Sequence, residues 1–144
     1  MKLLGIVILY YPDDSVVKNI ATYLAQLDEL MLWDNTPATD RRDLDLDSLG
    51  DGRGKIILDG CGENLGIGSA LNKAVAYARA NGFTHLLTLD QDSCFDGRTS
   101  KATFGQSVAM VRTRLPFSLP IISLNPSKPP CIRQRTLWMK CIRQ

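Results

Sequence analysis

The chain has 144 residues, 44% of them hydrophobic and 22% charged, which is the balance of one soluble globular domain and excludes a disordered, collagen-like or polytopic membrane chain. Four scattered cysteines (Cys61, Cys94, Cys131, Cys141) form no C-x-x-C pair, which counts against a zinc ribbon or thioredoxin-type site, and the single histidine, His85, leaves no room for His-rich metal chemistry or for a Ser-His-Asp triad elsewhere in the chain. The net charge of +2 hides a split: residues 1–97 carry 15 acids and 8 bases, residues 98–144 carry 9 bases and no acid.

Lys2 and the apolar run Leu3–Tyr11 resemble a short signal-peptide core, but Pro12-Asp13-Asp14 follows at once without a small-x-small cleavage site. The run is far shorter than the roughly 20 residues a membrane span needs, and it reads as a strand buried on both faces. Asp13, Asp14 and Ser15 offer caps for a helix whose apolar stripe is Val16/Val17, Ile20, Tyr23/Leu24 and Leu27. Leu30–Trp33 is a second strand, ending in the turn sequence Asp34-Asn35-Thr36-Pro37. The polar stretch 38–54 reads mostly as loop, and Lys55–Asp59 as a third strand. A second helix is expected from about Gly66 to Asn81, with Ile67, Leu71, Ala74/Val75 and Ala78 buried and Gly82 as its left-handed stop. Thr84–Leu89 is a fourth strand, running into Asp90-Gln91-Asp92.

This order predicts an α/β domain over 1–97 with a mainly parallel sheet. Beyond it lies a basic, proline-containing tail, 98–144, in which Val108–Val111 and Leu119–Leu124 are the apolar stretches that could form short strands. Cys131-Ile132-Arg133-Gln134 recurs there as Cys141-Ile142-Arg143-Gln144, a repeat too short for a solenoid. The abrupt change in composition fits a truncated or frame-shifted reading of a longer gene.

In open parallel sheets ligands bind beyond the carboxyl ends of the strands, and three of those ends carry acids: Asp34, Asp59 and Asp90. Asp90-x-Asp92 at a strand exit reads either as a solvated turn or as a pair of ligands for a hard divalent cation, Mg²⁺ or Mn²⁺, completed by phosphate oxygens. Asp34-Asn35 reads either as an Asx turn or as a contact to a base or ribose. Glu63-Asn64-Leu65-Gly66-Ile67-Gly68 precedes a helix, whose amides could meet a phosphate, or is simply a glycine-rich helix entry. Gly60-x-Gly62 and Gly66 miss the G-x-G-x-x-G spacing and follow the third strand, which counts against a dinucleotide enzyme. His85, inside a strand, is expected in a packed or edge position rather than in catalysis. The tail's charge suits an anionic lipid surface better than nucleic acid, since few aromatics interleave it.

Four segments in order carry a family resemblance: Gly5–Pro12 (G-I-V-I-L-Y-Y-P), Leu32–Pro37 (L-W-D-N-T-P), Glu63–Asn72 (E-N-L-G-I-G-S-A-L-N) and Leu87–Ser93 (L-T-L-D-Q-D-S). Over about residues 3–96 the chain resembles glycosyltransferase family 2, in wording closest to its rhamnosyltransferase-like branch. The resemblance implies the nucleotide-binding, Rossmann-like half of the A-type glycosyltransferase (GT-A) fold. It implies Tyr11 and Pro12 in the nucleotide pocket, Asp34 on the base or ribose, and Asn64, Gly66 and Asn72 flanking the sugar nucleotide. Asp90 and Asp92 would serve the metal and the diphosphate. The donor would be a nucleotide-diphosphate sugar, dTDP-rhamnose or a UDP-sugar, and the acceptor a cell-surface glycan or lipid-linked sugar. Together with the thiol usage, this places the chain in the cytoplasm, with peripheral contact at the inner face of the plasma membrane. Members of the family draw the acceptor site and the catalytic base from a second half that nothing after Asp96 resembles. A non-catalytic nucleotide-sugar-binding fragment is therefore the main alternative, and an unrelated α/β dinucleotide enzyme the other.

Overall fold

The computed structural model describes residues 1–95 and the backbone of 121–123. Its core is a five-stranded sheet in the order β3-β2-β1-β4-β5. The strands are β1 (Leu3–Leu9), β2 (Glu29–Asp34), β3 (Ile56–Asp59), β4 (His85–Asp90) and β5 (Ile121–Ser123). Two helices connect them, α1 (Ser15–Tyr23) between β1 and β2, and α2 (Gly66–Ala80) between β3 and β4. β1 pairs in parallel with both β2 and β4, and β2 with β3, while β5 lies antiparallel on β4. The expected α/β class and mainly parallel sheet are therefore present.

Alternation along the strands builds two cores. Leu3, Val7 and Leu9 of β1, with Leu30 and Leu32 of β2 and Leu87 and Leu89 of β4, pack against Val16, Val17, Ile20 and Tyr23 of α1. Leu4 and Ile6, with Met31, Trp33 and Leu86, pack against Ala70, Leu71, Ala74, Val75 and Ala78 of α2. A strand sandwiched between helices must be apolar on both faces, which is why β1 reads as an unbroken hydrophobic run. The chain moves from β1 outward to β3, then crosses back to the far side of β1. The topological switch point thus falls between the carboxyl ends of β1 and β4.

Local boundaries differ from the sequence reading for identifiable reasons. β1 stops at Leu9 because Tyr11 adopts a left-handed backbone, φ +48°. α1 yields to a 3₁₀ turn at Leu24–Gln26, so Leu27 joins the core from outside the helix. Asp13, rather than Asp14, holds the helix entry, its carboxylate accepting the Ser15 N–H at 2.8 Å. The stretch 38–54 contains 3₁₀ turns at Ala38–Asp40 and Leu46–Lys55, and Leu46 anchors it in the α1-side core. Ile67 is exposed rather than buried, whereas Leu71, Ala74, Val75 and Ala78 are buried as expected. Gly82 supplies the expected left-handed stop, φ +70°. His85 opens β4 at the sheet's amino end, its ring nitrogen Nδ1 2.8 Å from Thr84 Oγ1. β5 lies within the apolar stretch 119–124. The run 108–111, the short repeat and the rest of the basic tail lie outside the described residues. Among the described residues, no helix is long and apolar enough to cross a membrane.

Candidate functional site at the carboxyl ends of the strands

The end of β1 is tied to both neighbouring strands through two consecutive backbone donors. The Tyr10 N–H donates to Gln91 Oε1 at 3.0 Å, in the turn after β4. The Tyr11 N–H donates to Thr36 Oγ1 at 2.9 Å, in the turn after β2. Successive N–H groups of an extended chain point to opposite sides, so the two bonds reach the two neighbouring strands, and the chain then turns at Tyr11, whose φ is +48°. A bulky residue with positive φ stores strain of about 1–3 kcal/mol, which persists where surrounding bonds fix it. Tyr10 and Tyr11 are half-exposed, and their rings meet edge to face at 4.7 Å. The Tyr11 hydroxyl donates to Asp40 Oδ2 at 2.8 Å, and this bond to a carboxylate raises the phenol above its ordinary range. Pro12 is buried behind the pair.

Each residue of Asp34-Asn35-Thr36 has its own task. Asp34 Oδ1 accepts the Thr36 N–H at 2.8 Å, the Asx turn foreseen as one reading of this acid. Its Oδ2 pairs with Arg41 Nε at 3.3 Å. Buried Asn35 accepts the Trp33 indole N–H through Oδ1 at 2.9 Å, and its own N–H donates to the Leu9 carbonyl at 2.9 Å. Buried Thr36 holds Tyr11. The motif is thus a turn whose side chains bind β1 and a cation from the following loop.

Asp34 and Asp59 line one cleft of about 340 Å³, together with Pro12, Leu9, Arg41 and Gly60. The third strand-end acid is elsewhere. Asp34 falls on the face of Leu30 and Leu32, the α1 side, and Asp90 on the face of Leu86, the α2 side. Register sets them level with Leu9 and Ile8, so β1 runs between them. An elongated ligand reaching both would have to cross the β1 end at Tyr10 and Tyr11.

The turn after β4 is held from inside. Ser93 Oγ accepts the Asp90 N–H at 3.1 Å, and the Ser93 N–H returns to the Asp90 carbonyl at 3.0 Å. The Gln91 carbonyl accepts Asn19 Nδ2 of α1 at 3.1 Å. With these groups turned inward, Asp90 and Asp92 are left exposed. Partial desolvation, and then the charge of Asp92, raise the Asp90 carboxyl above its usual range. Among the described residues neither carboxylate has an ion-pair partner, and no three metal-ligating side chains cluster. A divalent cation fits such an uncompensated pair, provided that other oxygens complete its shell.

Of the residues flanking α2, Asn64 is exposed and its Oδ1 accepts the Gly66 N–H at 2.9 Å, shaping the helix entry. Asn72 lies on the exposed side of α2, six residues past Gly66. Thr36 stood in the sequence only as a member of a turn and motif, and Gly60 only in a glycine pattern that missed the dinucleotide spacing. Gln91 was visible only as the spacer of D-x-D, and Arg41 only as one base in a polar stretch.

No family profile and no curated protein matches the chain. Solved structures do resemble it in fold. The crystal structure of S. aureus TarS 1–349 aligns with a TM-score of 0.52 and 20% identity, over 73% of this chain and 32% of that one. TarS 1–349 in complex with UDP-GlcNAc gives 0.51 and 19%, over 73% and 29%. Its complex with UDP gives 0.52 and 19%, over 75% and 32%. The matched region therefore spans about a third of TarS 1–349. What the likeness establishes is the fold, an α/β unit shared with these TarS structures.

Proposed function

We propose that this chain is the donor-binding unit of a glycosyltransferase that uses a nucleotide-diphosphate sugar. The observation that carries the reading is the β1 end. Tyr10 and Tyr11 are locked between the Asp34–Thr36 turn and the Asp90–Ser93 turn, which in this reading serve the nucleoside and the diphosphate. The order of the four sequence motifs supports it, as does the fold likeness to TarS structures that hold UDP-GlcNAc and UDP. In this reading Pro12, Asp34 and the cleft take the nucleoside, Tyr11 borders it, and Asn64, Gly66 and Asn72 of the α2 segment face the sugar end. Asp90 and Asp92 would hold Mg²⁺ or Mn²⁺, which when bound neutralises the departing diphosphate. The donor is dTDP-rhamnose or a UDP-sugar, and the acceptor a glycan or lipid-linked sugar reached at the cytoplasmic membrane face.

A second reading, a binding unit without transferase activity, is favoured by one observation: no Asp or Glu follows Asp96. Calorimetry with UDP, dTDP, UDP-GlcNAc and dTDP-rhamnose, with and without Mg²⁺, tests what both readings share. Binding of a nucleoside diphosphate strengthened by the metal is the expected result. Binding of NAD in preference to all four would overturn it in favour of a dinucleotide enzyme.

A further inference from the structure

We infer that Arg41 is a positioning residue that aligns the nucleoside side of the site, separately from the diphosphate side. This rests on the donor-binding reading above. Arg41 comes from the loop after β2 and folds back onto the strand end it has just left. Its Nε meets Asp34 Oδ2 at 3.3 Å and the Thr36 carbonyl at 3.3 Å, while its terminal Nη2 donates to the Asp34 carbonyl at 3.0 Å. One guanidinium thus holds the side chain and the backbone of the same turn, a task that suits a planar fork and not a point charge.

Two further observations show that the place is built for it. Gly60, at φ +142°, leaves room where a Cβ would stand 2.8 Å from Arg41 Nη2 and 2.4 Å from the Asp34 carbonyl oxygen. Arg41 and Gly60 both line the cleft that Asp34 enters. The alignment also passes onward: the turn that Arg41 fixes contains Thr36, whose hydroxyl holds the left-handed Tyr11. On the other side of β1, the Asp90–Ser93 turn is held by Ser93, Asn19 and Tyr10, none of which touches Arg41.

The asymmetry supplies the test. Magnesium pyrophosphate and magnesium UDP are titrated into the parent, Arg41→Ala and Arg41→Lys, and the amide NMR spectrum of each is recorded without ligand. Arg41→Ala should weaken UDP by about ten- to a hundredfold, the loss of a hydrogen-bonded charged group, and leave pyrophosphate within about twofold. Arg41→Lys should recover only part of the UDP loss, since charge returns without the fork. The ligand-free spectra should shift at Thr36 and Tyr11 and stay unmoved at Gln91 and Ser93. Equal loss of both ligands, full rescue by lysine, or unchanged UDP affinity would each overturn the assignment. A parent that binds pyrophosphate and no nucleotide, with the Thr36 and Tyr11 shifts still present, would instead remove the donor-binding reading.

Discussion

Thr36 Oγ1 accepts the backbone N–H of Tyr11 at 2.9 Å, and Tyr11 is the one non-glycine among the described residues with positive φ. A fully buried hydroxyl after β2 therefore holds the strained end of β1 in place. Replacing Thr36 by valine keeps the shape and removes the acceptor. The unpaired N–H should cost about 1–3 kcal/mol of stability. A chemical denaturation curve should show a lower midpoint with an unchanged slope, together with weaker UDP binding. A midpoint equal to the parent's would mean that the bond does not hold Tyr11.

The acid pair at the β4 exit makes a prediction about metal. Asp90 and Asp92 alone are too few ligands for a closed cage, so cation and diphosphate should bind as a pair. In calorimetry the Asp90→Asn/Asp92→Asn double variant should bind UDP equally with Mg²⁺ and with EDTA, while the parent gains affinity with Mg²⁺. A metal gain that survives the double substitution would place the cation elsewhere.

The same carboxylate predicts a trade between stability and binding. Desolvation and then Asp92 raise the Asp90 carboxyl, so folding favours its protonated form. Its contribution to stability is present below the ordinary value of 3.8 and is lost as pH rises through the raised value. Asp90→Asn should therefore melt higher than the ligand-free parent at neutral pH, and equal to it near pH 3. Because the group is exposed and screened, the gain should stay below about 1 kcal/mol, or roughly 4 °C. With Mg²⁺ and UDP present the order should reverse, since only the parent gains the linked stabilisation. A variant that melts lower at neutral pH without ligand would contradict the repulsion.

Transfer itself should be slow. A base that takes the acceptor's proton contributes about 10²–10⁴-fold, and residues 97–144 contain no Asp or Glu to serve as one. Asp34 and Asp90 are engaged with the nucleoside and diphosphate sides in the proposed site. The expected outcome is binding of the nucleotide sugar, slow hydrolysis to the nucleoside diphosphate, and little glycoside with a lipid-linked acceptor. Robust acceptor-dependent turnover, followed by product mass, would show that 98–144 form an acceptor site with a base of another kind.

What the sequence determined by itself is the frame, and with it the edge of the sheet at which a site is sought. The apolar run of β1, the stripes of α1 and α2 and the Gly82 stop are local patterns, because strand and helix periodicities are written in neighbouring residues. Acids at three strand ends pointed to the carboxyl edge for the same reason. Which acids share a site was decided only by the tertiary structure. Asp34 and Asp59 line one cleft while Asp90 lies across β1 from them, because strand order sets β2 and β3 on one side of β1 and β4 on the other. The clamp on Tyr10 and Tyr11 was invisible for a like reason. It joins residues 25 and 81 positions apart, and a positive φ is not one that tyrosine's own preference would suggest. Arg41 is the same case in a polar stretch without periodicity: its role exists only because Gly60, one strand later, leaves the space for it.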